Sequence, residues 1–446
     1  MNNFSGIPDF EESEELKLEN LLAPLGPEGQ KIAFHHLPAI FAPLLAAIKK
    51  INPLIVTVAG TNGKGETIYR LQQALRGQGW TTAMWISPHI LSLRERITLN
   101  GAMLPYSSWQ ALLTQTRNAL AQIGQGLSYY EFLFYAFLLA VLEARPQVLL
   151  LEVGMGGRLD AVNLLDADLS VLPSIGRDHQ AFLGSSYRAI LGEKLGVTRP
   201  GQKVISAFEL KYLRQIMQQA ARQNHWPWRD LFAENVVHKD DAYPVRNAAL
   251  AQAAAEEVQR LGEQRWGKKT DVLKHKDAPD PVARCTQVEK WVTPLQFWPG
   301  RREFWPKIKH ARPDDQWFFI GGHNNDGLRK MIIYLQQTKL PITTVLASFS
   351  QRPWHDLKIN LTLLGQIPGS PKIVLVAFDH PKAVTLAELQ NLAREVCLAV
   401  PVKVECWHQQ LEENLGHESG TTLVTGSFYL VGLVQRSLLR QYGRSH

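Results

Sequence analysis

The sequence predicts an α/β protein with two domains: an open, mostly parallel sheet over residues 1–298, then a smaller α/β domain over 299–446. Three observations carry this prediction. Short apolar runs alternate with helical patterns, the order that builds parallel sheets. The run Val148–Val153 is almost continuously apolar, as a strand covered on both faces must be. The length, 446 residues, exceeds what one core usually serves.

Residues 15–50 read as two amphipathic helices separated by Pro24-Leu25-Gly26-Pro27. Val56-Thr57-Val58-Ala59 is a buried strand. Gly60-Thr61-Asn62-Gly63-Lys64-Gly65-Glu66-Thr67 then reads as a tight glycine turn opening a helix, with Ile68, Leu71 and Leu75 at helical spacing. Glycines let the backbone approach an anion, and the N–H groups of such a turn bind phosphate. Lys64 is placed to reach a terminal phosphate as a point charge. The string is not a regular P-loop, because Val58 stands where the first glycine would be. The plainer alternative is an ordinary strand-to-helix turn with a surface lysine.

Thr81–Ile86 is a strand ended by Ser87-Pro88-His89, and Arg94-Glu95-Arg96 follows. Residues 107–124 form a helix stopped by Gly124-Gln125-Gly126, and Tyr129–Leu142 is a buried helix with Glu131 near its start. The Val148–Val153 strand carries Glu152 at its end, before Gly154, Gly156, Gly157, Arg158 and Asp160. Leu169–Pro173 leads into Ser174-Ile175-Gly176-Arg177-Asp178-His179. Glu193-Lys194 lies on a helix, and Lys203–Ser206 is the next strand. Ligands of open α/β sheets bind beyond the carboxyl ends of strands. Lys64, Ser87, Glu152 and His179 all lie there. Singly, each has a dull reading: Glu152 as a solvent-facing carboxylate, His179 as a neighbour of a helix cap.

Residues 247–262 read as an Ala-rich helix and 264–298 as a linker; its basic run Arg265–Lys276 reads as a solvated loop rather than a nucleic-acid patch. Arg301 and Arg302 open the second αβ run, with strands near Trp317–Ile320, Thr344–Ser348, Ile373–Phe378, Val402–Cys406 and Leu423–Thr425. Gly321-Gly322-His323-Asn324-Asn325 ends its first strand and Gly426-Ser427-Phe428 its last.

The composition, 45% hydrophobic and 20% charged, is globular, and no apolar run reaches membrane-spanning length. The acidic start (Glu11, Glu12, Glu14, Glu15) is unlike a signal peptide. Three cysteines without ligand spacing fit a reducing cytoplasm. A net charge of +7 suits anionic substrates or nucleic acid.

With these motifs in order, the chain resembles the folylpolyglutamate synthase/dihydrofolate synthase family, a branch of the Mur-type ATP-dependent amide ligases. The matching pieces are GTNGKG at 60–65, SPH at 87–89, RERI at 94–97, YYEFL at 129–133 and EVGMGGRLDAVN at 152–163. They continue with SIGRDH at 174–179, EKLG at 193–196, RNAALA at 246–251, PGR at 299–301, HN at 323–324 and GSF at 426–428. The resemblance implies a Mur-ligase-like fold: an ATP-binding domain, then a Rossmann-like one. It implies that Gly60, Thr61, Asn62, Gly63, Lys64, Gly65, Glu66 and Thr67 hold the triphosphate of ATP, with Asn247, Arg301 and His323 as further nucleotide contacts. Ser87 and Glu152 would ligate one magnesium ion and His179 a second. Lys194 would be a carbamylated lysine acting as a metal ligand. Lys64, His179 and Lys194 form the implied catalytic set, and Arg96, Tyr130, Glu131 and Phe132 would face the pterin-bearing acid. The implied activity joins L-glutamate to dihydropteroate or folates through an acyl phosphate, in a cytoplasmic monomer with small-molecule partners, no nucleic acid and no membrane.

The chain also departs from the family pattern. Glu66 replaces a small hydroxyl residue, Ile320 replaces a strand-end aspartate, and Ile32-Ala33-Phe34-His35-His36-Leu37 replaces the segment that shapes the pterin pocket. The stretch from Leu231 to Tyr243 is short, and Arg177 adds a cation beside His179. A ligase for another acid, or a catalytically weak nucleotide-binding paralogue, are the alternatives these changes leave open.

Overall fold

The structure is a computed structural model, and it describes residues 10–26, 34–123, 126–267, 301–307 and 315–443. These fall into two compact units, one within 10–292 and one within 293–446. The linker reading beyond residue 267, the stop at Gly124-Gln125, Ile32-Ala33 and Pro299-Gly300 lie outside the described residues.

The first unit is built on an eight-stranded sheet. Its strands are β1 (Leu54–Val58), β2 (Thr82–Trp85), β3 (Ile97–Leu99), β4 (Ala102–Met103), β5 (Val148–Glu152), β6 (Leu169–Leu172), β7 (Lys203–Ser206) and β8 (Trp228–Asp230). The order across the sheet is β4-β3-β2-β5-β1-β6-β7-β8. All neighbours run parallel except the β2–β3 and β3–β4 pairs. The expected strands are present, and the sequence reading missed three. β3 and β4 form a hairpin about Asn100 and Gly101, both at positive φ, as a tight two-residue turn requires. β8 adds a far edge.

Nine helices accompany this sheet among the described residues: α1 (Glu12–Leu22), α2 (Leu37–Ile51), α3 (Lys64–Gly77), α4 (Tyr106–Ile123), α5 (Tyr129–Ala144), α6 (Gln180–Leu183), α7 (Tyr187–Leu195), α8 (Lys211–Gln223) and α9 (Tyr243–Trp266). β1, β2 and β5 are buried along their whole lengths. A core containing Phe41, Trp85, Trp109, Phe134, Phe137, Leu149 and Leu151 covers one face of the sheet. α5 is apolar on nearly every side because it lies within that core.

The second unit has a six-stranded sheet of order β13-β12-β11-β14-β10-β9. Its strands are β9 (Arg301–Pro306), β10 (Gln316–Ile320), β11 (Ile342–Ala347), β12 (Lys372–Ala377), β13 (Val402–Cys406) and β14 (Thr421–Thr425). Only β9 runs antiparallel. Where the sequence suggested only an opening segment, β9 is a full edge strand paired to β10.

Candidate active site

The order β2-β5-β1-β6 makes neighbours of the four strands that precede Ser87, Glu152, Lys64 and Ser174. Val58 pairs with Glu152, so the carboxylate at the end of β5 begins beside the turn that leaves β1. The rim predicted from sequence is therefore contiguous.

Backbone geometry shapes the 59–63 turn. Gly63 caps α3 at φ 86°. A Cβ there would come within 2.6 Å of the Asn247 Oδ1 atom, so glycine is needed twice over. The turn is stitched to the loop after β6. Thr61 N–H donates to the Ser174 carbonyl at 2.9 Å. Asn62 N–H donates to Ser174 Oγ at 3.0 Å, and Ser174 Oγ donates back to the Asn62 carbonyl at 2.8 Å. Thr61 Oγ1 accepts from Gly176 N–H at 2.9 Å and donates to the Gly176 carbonyl at 3.1 Å. Lys64 is half-buried, its Nζ 3.4 Å from the Thr61 carbonyl. Gly65 and Thr67 are buried in the first turn of α3.

Lys194 does not pair with its neighbour Glu193, which instead pairs with Arg158 at 3.0 Å. The Lys194 side chain turns inward, is buried, and donates from Nζ to the Gly60 carbonyl at 2.9 Å. Burial, reinforced by the Lys64 ammonium, lowers its pKa to about 7, against the pull of Asp178 and Asp160. The chain achieves this by docking α7 on the loop after β5. Arg158 N–H donates to the Glu193 carbonyl at 2.9 Å. A Cβ at Gly157 would sit 2.9 Å from that same carbonyl.

Ser87 and Glu152 are both buried, and Ser87 N–H donates to Glu152 Oε2 at 3.3 Å. His179 is exposed, in the left-handed region at φ 51°, just ahead of α6. Arg177 leans its guanidinium over the Tyr187 ring at 5.3 Å. Among the described residues no three His, Cys, Asp or Glu side chains form a cage for a metal. The set fits magnesium all the same: this ion takes one or two hard oxygen ligands from protein and draws the rest from phosphate and water.

Asp160 is a hub that sequence reasoning quoted without giving it a role. It is buried and accepts from Met155 N–H, Val162 N–H and the Tyr130 hydroxyl at 3.0, 3.1 and 3.0 Å. Tyr130 in turn accepts from Trp85 Nε1 at 3.2 Å. Burial and the Asp160 charge push its phenol well above the ordinary range.

The remaining expected substrate residues are placed as follows. Arg96 is fully buried; its Nε donates to His89 Nδ1 at 2.8 Å, and its guanidinium lies 5.5 Å from the Tyr129 ring centre. Glu131 accepts from the Ser128 N–H at 3.1 Å in a capping box that starts α5. Phe132 is buried in the core.

Glu66, expected to meet phosphate, points elsewhere. It is buried, and its Oε1 accepts from Arg70 Nη2 and Nε at 2.9 and 3.1 Å. Its Oε2 accepts from Asn247 Nδ2 at 2.8 Å. Arg301 and His323 belong to the second unit. Arg301 pairs across β9–β10 with Ile320, a buried strand-end residue. The His323 ring lies 5.0 Å from that of Phe428.

No protein-family model matches the chain. The dihydrofolate synthase/folylpolyglutamate synthase of Bacillus subtilis is 25% identical over 420 residues, 85% of this chain and 89% of its own. The Escherichia coli protein of the same name is 38% identical over 158 residues, 35% of this chain and 37% of its own. Among solved structures, E. coli FolC in complex with DHPP and ADP superposes with a TM-score of 0.72 at 23% identity, covering 95% of this chain and 98% of that one. The Yersinia pestis bifunctional enzyme complexed with AMPPNP and Mn ion gives 0.72 at 22%, with the same coverage. Over nearly its whole length the chain is similar in sequence to a dihydrofolate synthase/folylpolyglutamate synthase, and it shares the fold of such proteins.

Proposed function

We propose that the chain is an ATP- and magnesium-dependent ligase that joins L-glutamate to dihydropteroate, to folates, or to both. The observation that carries this reading is the buried Lys194 amine, its pKa lowered to about 7, donating to the Gly60 carbonyl of the phosphate turn. Nucleotide binding and catalysis belong to residues 1–298, and residues 299–446 form a separate α/β domain. The family relatives support the substrates: one is seen with DHPP and ADP, another with AMPPNP and Mn ion.

A carboxylate is a poor electrophile, and transfer of the γ-phosphoryl group converts it to an acyl phosphate. The Gly63, Lys64 and Gly65 N–H groups, where α3 begins, and the Lys64 ammonium hold the triphosphate and neutralise charge on the transferring group, while the Thr61 and Asn62 N–H groups fix the turn to Ser174. Bound magnesium, held by Ser87 and Glu152 with a second ion at His179, would supply further charge neutralisation. A neutral lysine amine can take up carbon dioxide to give an anionic carbamate, and Lys194 has the environment for it. Asp160 and Tyr130 keep the glycine loop closed against α5. The acid is assigned to the half-buried Tyr129 and Tyr130 rather than to Glu131, which caps α5, or Phe132, which lies in the core; Arg96, fully buried, acts from behind the Tyr129 ring. The glutamate amine then attacks the acyl carbon, phosphate leaves and the amide forms. The protein works as a monomer in the cytoplasm; among the described residues no helix is long and apolar enough to cross a membrane.

An omission assay tests this. Phosphate release should require ATP, magnesium, glutamate and a dihydropteroate or folate acid together. Release without any pterin would mark a ligase for another acid, and nucleotide binding without acid-dependent turnover a weak paralogue. Glu66, which with Ile320 favoured the weak paralogue, has its charge paired with Arg70.

A further inference from the structure

Glu66 is the conspicuous departure in the phosphate turn, and its surroundings give it a job. It lies in the first turn of α3, where a bare carboxylate would oppose a bound triphosphate. Arg70 stands one turn on, is 2% exposed, and forms a two-pronged pair with Oε1, so the two charges cancel inside the protein. The other oxygen, Oε2, takes the Nδ2 hydrogen of Asn247 on α9 at 2.8 Å. The remaining end of that amide, Oδ1, packs on Gly63, where an added Cβ would be only 2.6 Å away. Gly63 is the left-handed residue at which the turn becomes helix. Arg70, Glu66, Asn247 and Gly63 are therefore linked in sequence, from a buried cation to the bend of the phosphate loop.

We propose that Glu66 is a positioning residue for nucleotide binding. It fixes the orientation of the Asn247 amide, and that amide braces the Gly63 bend in the shape that presents its N–H groups to phosphate. Arg70 removes the electrostatic penalty of placing a carboxylate there. The pair substitutes a long-range brace for a short hydroxyl at this position. The proposal rests on the nucleotide-binding reading above.

The test isolates the acceptor from the charge. In an Arg70→Met background, Glu66→Gln keeps an oxygen for Asn247 and Glu66→Leu does not, while both are neutral and similar in volume. Calorimetric titration with ADP and magnesium should show the Leu variant binding about tenfold more weakly than the Gln variant, which stays within about threefold of wild type. Adding Asn247→Ala to both should abolish the difference. In turnover the loss should appear in the KM for ATP more than in kcat, which a general loss of stability would not produce. Equal ADP affinity of the Gln and Leu variants overturns the proposal, as does a difference that survives Asn247→Ala. A wild-type chain that binds no ADP overturns the nucleotide-binding reading and this inference together; one that binds ADP while the Gln and Leu variants agree overturns this inference alone.

Discussion

A lysine amine buried against a carbonyl titrates in a region where most lysines do not. Lys194, with its pKa lowered to about 7, is largely neutral in the folded protein above that pH, whereas the unfolded chain keeps its proton up to about the ordinary 10.5. Between those limits the unfolded state binds more protons, so stability should rise with pH by up to about 1.4 kcal/mol per unit from this residue. Lys194→Met should remove that slope; urea unfolding followed at about pH 7 and pH 10 checks it. Under the proposed carbamate role this titration would make carbamate formation pH-dependent, and Lys194→Ala should lower ligase activity at least about tenfold, the scale of losing a metal-site group. Unchanged turnover in bicarbonate buffer would remove the carbamate role. At this scale the sequence was uneven. It pointed to Lys194 through its motif, but could not show that Glu193 pairs with Arg158 and leaves the lysine inward, because that depends on contacts 35 residues apart. The Glu66–Arg70 pair did leave a local sign, an acid and a base at i,i+4. Glu15 left none: it reaches Ser92 Oγ at 2.8 Å and Leu93 N–H at 2.5 Å, from a helix some 77 residues earlier.

Elements were the most legible level, because their periodicity is local. The α5 helix shows both halves of a capping box, and the Ser128-to-Glu131 spacing announces it. Ser128→Ala should cost about 1 kcal/mol, measured as a shift in denaturant midpoint without change in slope. The Gly63 bend allows a sharper prediction. Gly63→Ala forces a side chain into the left-handed region and against Asn247 Oδ1, so ADP binding should fall by at least about tenfold while the rest of α3 keeps its helicity by circular dichroism. The missed elements have separate causes. The β3–β4 hairpin carried an Asn-Gly signal at 100–101 that short flanking strands concealed. The antiparallel β9 edge owes its place to pairing with β10, which no local pattern specifies.

For the whole chain, strand–helix alternation foretold two α/β units. What could not be read was strand order, since crossovers are set by how helices pack over the sheet. Each unit has its own core: Phe134, Phe137 and Leu149 in the first, Phe318, Leu361 and Leu423 in the second. Scanning calorimetry is expected to resolve two transitions. ADP with magnesium at a hundred times its Kd should raise the one belonging to the first unit, by about 2.7 kcal/mol of added stability, and leave the other in place. A single transition unmoved by nucleotide would contradict this. The arrangement β2-β5-β1-β6 has one more consequence. On the proposed function each chemical task falls to a separate crossover loop, while the sheet beneath supplies the common reference frame. Variation in one loop can then retune which acid is accepted without redrawing the anion cradle next door, so divergent descendants of this scaffold can trade specificity while inheriting the same engine.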